Sequence, residues 1–516
     1  MIELKTGSKT VTIDGENLTL EDVDAVARRL APVNLSVSGK TKIVASRKLV
    51  DKILDEGMKV YGITTGFGKF SDITISTEES NRLQKNIIVS HAGGIGQPLP
   101  NDAVRGIMLL RANSLAKGYS GVRPIVVQLL LDMLNKGIHP VVYCKGSVGA
   151  SGDLIPLAHI ALAMIGMGEV EYRGRVMPSG EAFSQTNLKH IDLIAKEGLA
   201  LINGTQYMSA LGCLALYDAL RLCKAVMISA CMSFEALEGV PAAFDSKVQE
   251  VRPHNGQQIC ASAMRKLLHG SDLLQRKKCE RVQDAYTLRC IPQVHGASLD
   301  AFNYVKKVLI TEINSATDNP LLFPDTGEVI SGGNFHGQPL ALALDFLAMA
   351  VSELGSISER RIERLVNPAL NGKLPPFLTE YGGLNSGLML LQYAAASLAS
   401  ENKVLSHPAS VDSIPTSGNQ EDHVSMGSIA ALKARTIIEN VYWVISSEML
   451  AAAQAMDFVH HKWGRGAATA HSLVRKTVPH WNEDRILYKD LQKVRDLVVS
   501  GIINEEVEKE CGVLIS

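Results

Sequence analysis

The sequence lacks a surplus of either charge: 52 basic side chains face 53 acidic ones. No global field draws such a chain to nucleic acid or to an anionic membrane, and a small neutral or zwitterionic ligand fits better. It also lacks CxxC pairs. Its eight cysteines are scattered at positions 144, 213, 223, 231, 260, 279, 290 and 511, with no spacing that pre-forms a zinc site, which predicts reduced thiols in a cytoplasmic protein. A GxxxxGKS loop, an HExxH pair and a dinucleotide fingerprint after a strand are all missing, so neither a metal nor a nucleotide is expected. The stretch MIELKTGSKTVTIDG carries no basic-then-apolar leader and no Arg-rich amphipathic pattern, so no targeting peptide is expected there. Repeats, low-complexity runs and Pro/Gly/Ser-rich linkers are absent as well. One unit over 1–516 is expected, with 1–200 as an N-terminal region and 201–516 as a long-helix bundle with a C-terminal tail.

What is present is mostly helical. The first sixty residues mix short β-like runs (Thr10 to Ile13) with helical stretches (Leu20 to Leu30, Thr41 to Glu56). From about residue 80 the helical period dominates, in Arg105 to Ala116, Pro124 to Lys136 and Leu154 to Met167. Much longer candidates follow at Pro339 to Val366, Ser386 to Leu405 and Val424 to Met456, two of them stopped by Asn367-Pro368 and His407-Pro408. Helices apolar on most faces need helical neighbours, which predicts an all-α fold around a long central bundle, with subunit assembly supplying partners. Gly198 to Tyr217 is uncharged over a length that could span a bilayer. Its cluster of Asn203, Thr205 and Gln206 is costly in lipid and predicts a buried core helix after a polar turn instead. His460-His461 and Lys462 to Arg465 read as solvated surface.

Glycine-rich segments at 62–68, 93–96, 146–152, 332–337 and 382–387 interrupt these helices, and sites concentrate at such interruptions. Gly146-Ser-Val-Gly-Ala-Ser-Gly-Asp-Leu154 cannot be a stable helix interior. If the chain folds tightly at Ala150-Ser151-Gly152, the Gly152 nitrogen can approach the Ala150 carbonyl carbon, and a Cβ on residue 152 would obstruct that attack. Ring closure with loss of two waters, one carrying away the Ser151 hydroxyl, gives a methylidene-imidazolone (MIO) whose exocyclic carbon is strongly electrophilic. The tripeptide alone is weak evidence, since a chosen triplet of common residues arises about 0.2 times by chance in a chain this long.

Its context is specific. GSVGASGDL followed by PLAH resembles the signature of the histidine and phenylalanine ammonia-lyase family. The resemblance runs along nearly the whole chain through Tyr61-Gly-Ile-Thr-Thr-Gly-Phe-Gly68, Asn203-Gly-Thr-Gln206, Gln283-Asp-Ala-Tyr-Thr-Leu-Arg289, Ser331-Gly-Gly-Asn-Phe-His336, Ser400-Glu-Asn-Lys403 and Asn419-Gln-Glu-Asp-His423. It implies a fumarase/aspartase-like helical architecture, the MIO group formed autocatalytically, and a homotetramer whose sites draw residues from three subunits.

Deamination must remove a weakly acidic proton from the carbon β to the carboxylate and expel an amine. Attaching that amine to an electrophile improves the leaving group. The resemblance makes Tyr61 the base, with a phenol that must be depressed from about 10 by positive charge or hydrogen bonds. By itself, a tyrosine flanking glycines usually just packs. Arg289 would grip the substrate carboxylate, against the commoner outcome of a structural ion pair with Asp284. Asn203 and Tyr286 match family positions beside the electrophile, as donors to the ring oxygen or the substrate. Gln283 and Phe335 would shape the walls, although a loop aromatic more often only packs.

Two places set specificity in the family: the pair occupied by Ser90-His91, and Glu421. Phenylalanine branches carry an apolar pair and glutamine there, and tyrosine branches commonly a histidine one residue earlier. An imidazole and a carboxylate suit both nitrogens of a substrate imidazole, whereas a buried Glu against a phenyl ring is costly. The resemblance thus implies conversion of L-histidine to trans-urocanate and ammonia. The rivals are an aminomutase giving a β-amino acid, a tyrosine or phenylalanine ammonia-lyase, and a scaffold that has lost catalysis. The last predicts decayed reactive positions, yet all are present. The GSSxMPxKxNP signature of the fumarase and argininosuccinate lyase group is absent.

Overall fold

The computed structural model describes residues 9–70, 72–276 and 281–515; the first eight residues of the stretch read for a leader, and Cys279, lie outside them. Among the described residues there are nineteen α-helices and four small sheets, none closed. The fold is mostly helical, as the periodicity predicts.

Local chemistry explains the helix ends. Thr19 and Asp22 form a reciprocal capping box at the start of Leu20–Ala27, satisfying two backbone N–H groups that the first turn leaves open. Pro124–Lys136 begins on proline, whose missing N–H costs nothing there, and ends at Gly137 in the left-handed region (φ +70°). Val126, Val127, Leu130, Leu131 and Leu134 are buried along it. Each such side chain contributes about 1.5–3 kcal/mol on leaving water.

The chain divides into two compact units, each discontinuous in sequence. The first comprises residues 1–217, 306–345 and 408–432. It holds all the sheets: the parallel pair Val11–Ile13 with Val33–Leu35, Ile95–Pro98 with Tyr143–Lys145, a three-stranded antiparallel meander over 138–178, and the hairpin Leu321–Phe323 with Glu328–Ile330. Gly93 to Gly96, read as a loop, runs into one of these strands. Glu197–Ile202 ends at Asn203, the chain turns through Gly204 (φ +151°), and Gln206–Ala236 begins; residues 198–216 are buried. The polar turn before a core helix is therefore present.

The second unit comprises residues 218–305, 346–407 and 433–516, and its described residues form helices and connecting turns only. Within it Arg361 and Glu448, both fully buried, pair at 2.6 Å. Ser229 and Ser233 also donate to the Glu448 carboxylate, and His295 Nε2 lies 3.3 Å from Arg361. Burial, seconded by the Arg361 charge, holds His295 far below the usual imidazole range and therefore neutral. His461 departs from the sequence expectation of solvated surface: its ring is 8% exposed and lies 2.8 Å from buried Glu235.

Gln206–Ala236, Ile291–Ile313, Gln338–Val366 and Gly427–Met456 contribute residues to both units. By length and composition Gln338–Val366 could cross a membrane, but 67% of its most apolar window is buried within the protein.

Candidate active site

The turn at Ala150-Ser151-Gly152 is held by backbone. Gly152 sits at φ +73° and bridges Gly204; Asp153 N donates to Gly204 O at 2.7 Å, and Gly204 N donates to Ser151 O at 3.3 Å. A Cβ on Gly152 would stand 2.2 Å from the Gly204 carbonyl oxygen, so only glycine fits. The other flank is clasped from far along the chain: Met426 N donates to Val148 O, Ser425 Oγ to Gly149 O, and Ser428 Oγ to Ser147 O. Ala150 packs with Val424 and Met426 in a small apolar cluster. Beneath the turn Asp153 is fully enclosed; burial, helped by Glu312, raises its carboxyl to about 7 against the pull of the Met208 N–H and the Ser147 hydroxyl.

Ser151 Oγ donates to Glu421 Oε1 at 2.8 Å, and Thr416 Oγ1 donates to Glu421 Oε2 at 2.8 Å. Glu421 is fixed by a two-way backbone bridge to Thr416. The charge of Glu421 reaches both Tyr61 and His91. Tyr61 opens the turn leading to Gly68, whose N–H donates to the phenol oxygen at 3.3 Å, and Gly68 packs near Ser417. His91 ends the helix Thr77–His91, with Nδ1 3.1 Å from Ser90 Oγ.

The tyrosine departs from the sequence expectation of a depressed phenol. Burial pushes Tyr61 above 10, the Gly68 N–H opposes it, and Glu421 and Asp318 add to the rise. His91 is lowered, chiefly by burial, with the Ile87 carbonyl and Glu421 working the other way.

Asn203 caps Glu197–Ile202, and its carbonyl accepts from Arg111 Nη1 at 2.8 Å. Its side-chain nitrogen donates to Asp318 Oδ1 at 3.3 Å and to Asn319 O at 3.0 Å, so both amide protons are used. The donor role expected of it is therefore taken up inside the protein. Phe335 is half-buried in the 331–337 turn, where Gly337 leaves no room for a Cβ: Met208 Sδ would lie at 2.5 Å and Ser425 Oγ at 3.0 Å.

Gln283, Tyr286 and Arg289 belong to the second unit. Tyr286 is 70% exposed, and the Arg289 guanidinium carbon lies 4.6 Å from its ring centroid. Asp284 is taken by Arg281 at 3.2 Å and by the Val240 N–H, rather than by Arg289 in the structural ion pair weighed as the alternative to its carboxylate-binding role. Among the described residues no group of three His, Cys, Asp or Glu side chains is arranged to hold a metal. A cavity of about 460 Å³ lined by Ser246, Glu250, Arg265 and Lys266 belongs to the second unit and contains none of the expected residues.

Sequence reasoning missed Thr416, Ser425, Ser428, Arg111, Lys196 and Asp318. Only Arg111 leaves a local trace, a charge inside the apolar run Leu109-Leu110-Arg111-Ala112 of a buried helix.

The family model described as aromatic amino acid lyase matches residues 18–476. The chain belongs to the aromatic amino acid lyase family. It is 59% identical to the histidine ammonia-lyase of Caldanaerobacter subterraneus subsp. tengcongensis, over 98% of this chain and 100% of that one. Its fold matches the histidine ammonia-lyase of Trypanosoma cruzi with a TM-score of 0.90 at 42% identity, covering 97% of this chain and 95% of that one. It matches the tyrosine aminomutase of Streptomyces globisporus with a TM-score of 0.93 at 36% identity, covering 98% and 99%. Family membership together with 59% identity to an ammonia-lyase over 98% of the chain makes this chain a carbon–nitrogen lyase.

Proposed function

We propose that this chain deaminates L-histidine without oxidation, releasing trans-urocanate and ammonia. The observation that carries the reading is Glu421. Its carboxylate lies 2.8 Å from Ser151 Oγ, within the reactive turn, and its charge is felt at His91, which supports a substrate imidazole shared between this carboxylate and the His91 ring. A substrate imidazole offers one N–H donor and one ring acceptor to such a pair, while a phenyl ring would strand the carboxylate. The 59% identical relative bears the name histidine ammonia-lyase.

Ala150, Ser151 and Gly152 fit the MIO group. The turn is tight, and residue 152 tolerates no Cβ. The group supplies an electrophilic carbon for the substrate's amino nitrogen, which makes that nitrogen a better leaving group.

Tyr61 takes the proton from the β carbon. The C–H electron pair becomes the new double bond as the Cα–N bond breaks, and nitrogen leaves as ammonia. The phenol must give up its own proton first, and positive charge brought by the amino acid works against the burial that holds that proton. Arg289 binds the carboxylate through its donor fork, while Gln283, Tyr286 and Phe335 line the walls. The exposure of Gln283 and Tyr286 fits a site completed by other copies of a homotetramer.

Purified protein incubated separately with L-histidine, L-tyrosine and L-phenylalanine, with products identified by NMR, tests this reading. Urocanate and free ammonia are expected. A β-amino acid, coumarate or cinnamate as the main product would overturn it.

A further inference from the structure

Behind the reactive turn, Lys196, Asp318 and Asn203 form a buried relay. Lys196 Nζ donates to Asp318 Oδ2 at 2.7 Å, and both side chains are fully buried. Asp318 Oδ1 accepts from Asn203 Nδ2 at 3.3 Å and from the Asn319 N–H at 2.7 Å. The second Asn203 amide proton goes to the Asn319 carbonyl at 3.0 Å. Both partners of the amide are acceptors, so chemistry fixes which end is nitrogen; a flipped amide would set oxygen against oxygen twice.

The consequence lies at the other end of that amide. Asn203 Oδ1 is buried and has no hydrogen-bond partner. The residue cannot swing away, since Arg111 holds its carbonyl and the following Gly204 is bridged to Gly152. A buried acceptor without a donor calls for one. Of the polar groups on an α-amino acid, the carboxylate has no proton to offer and the amino group has several.

We infer that Asn203 Oδ1 accepts a hydrogen bond from the substrate's α-amino group, and that Asp318, paired with Lys196, is the positioning residue that turns the amide so. This rests on the ammonia-lyase reading but not on the identity of the side chain deaminated. The relay uses both protons of the amide nitrogen, leaving none to give to the substrate. The amino nitrogen is thereby drawn to the turn that must receive it.

The test uses full-length protein carrying Ser151→Ala, which cannot build the electrophile, so ligands bind without turnover. Calorimetry compares L-histidine with 3-(imidazol-4-yl)propionate, the same molecule without its amino group. Tighter binding of L-histidine is expected, and adding Asp318→Asn or Asn203→Leu should weaken it about tenfold while the amino-free ligand changes less than about twofold. If Asp318→Asn alone fails to fold around an unpaired Lys196, the neutral pair Lys196→Met with Asp318→Asn is measured in its place. Equal weakening of both ligands marks a merely structural role and overturns the inference, as does no weakening of either, or no preference for L-histidine in the parent. Failure of the histidine reading shows separately, as absence of urocanate from the unaltered enzyme; the ligand pair is then tyrosine and its amino-free counterpart.

Discussion

Ser151 and Glu421 lie 270 residues apart in sequence, yet the serine hydroxyl donates to the glutamate carboxylate at 2.8 Å. One carboxylate oxygen therefore faces the side chain that the proposed cyclisation would remove. The other is held by Thr416 at 2.8 Å. With the hydroxyl removed, Glu421 Oε1 would be an acceptor in need of a donor, and an imidazole N–H would meet that need.

Replacing Glu421 by glutamine leaves the shape and removes the charge. The expected outcome is a loss of about 100-fold in kcat/KM for L-histidine, with circular dichroism and melting temperature close to the parent. L-phenylalanine turnover should hold or rise. Steady-state kinetics on both amino acids checks this, and an unchanged histidine rate would remove the specificity argument.

Gly204→Ala places a Cβ 2.5 Å from Gln206 Oε1 and 2.6 Å from Arg111 Nη1, at a φ of +151° that only glycine adopts readily. Gly204 bridges Gly152, so its displacement loosens the turn that must close on itself. Intact mass should show the variant wholly or partly without the loss of two waters expected of the parent. Full water loss would mean that the bridge does not prepare the ring.

Tyr61 gives the pH dependence its sign. Burial, Glu421 and Asp318 raise the phenol above 10, so near neutrality it is protonated and the base form is scarce. Below that pKa the phenolate fraction grows about tenfold per pH unit, and kcat/KM should climb with pH on its acidic limb. Tyr61→Phe should cost about 10²–10⁴-fold in kcat and abolish the Tyr61-dependent part of the climb, with the mass loss of two waters intact. A rate that falls between pH 7 and 9 in the parent would contradict this.

Much of this was legible in the sequence, for identifiable reasons. Pro124–Lys136 was bounded correctly because proline at its first turn and Gly137 after its last residue are local signals. Ala150-Ser151-Gly152, Tyr61, His91 and Glu421 were singled out through motifs, and the structure brings Glu421 to Ser151. The clasp of residues 147–149 by Ser425 and Ser428, and the relay of Lys196 and Asp318, were not, because each joins residues over a hundred positions apart and leaves no period or spacing behind. The direction of the Tyr61 shift was misjudged for a similar reason. It depends on how deeply the fold buries the phenol and on which charges come near, and two carboxylates do.

The Arg361–Glu448 pair at 2.6 Å, buried with His295, predicts an asymmetry in stability. Arg361→Met strands a buried carboxylate and should cost about 3–5 kcal/mol, while Arg361→Met with Glu448→Leu should recover most of that loss. Urea unfolding of the three proteins measures it, and a double variant no more stable than the single one would contradict the account.

The most direct measurement compares intact mass and deamination in the parent and in Ser151→Ala. The account predicts a parent lighter than its sequence by two waters that releases ammonia from L-histidine, and a variant at full sequence mass that releases none above background. A variant at full mass that deaminates at the parental rate would contradict it.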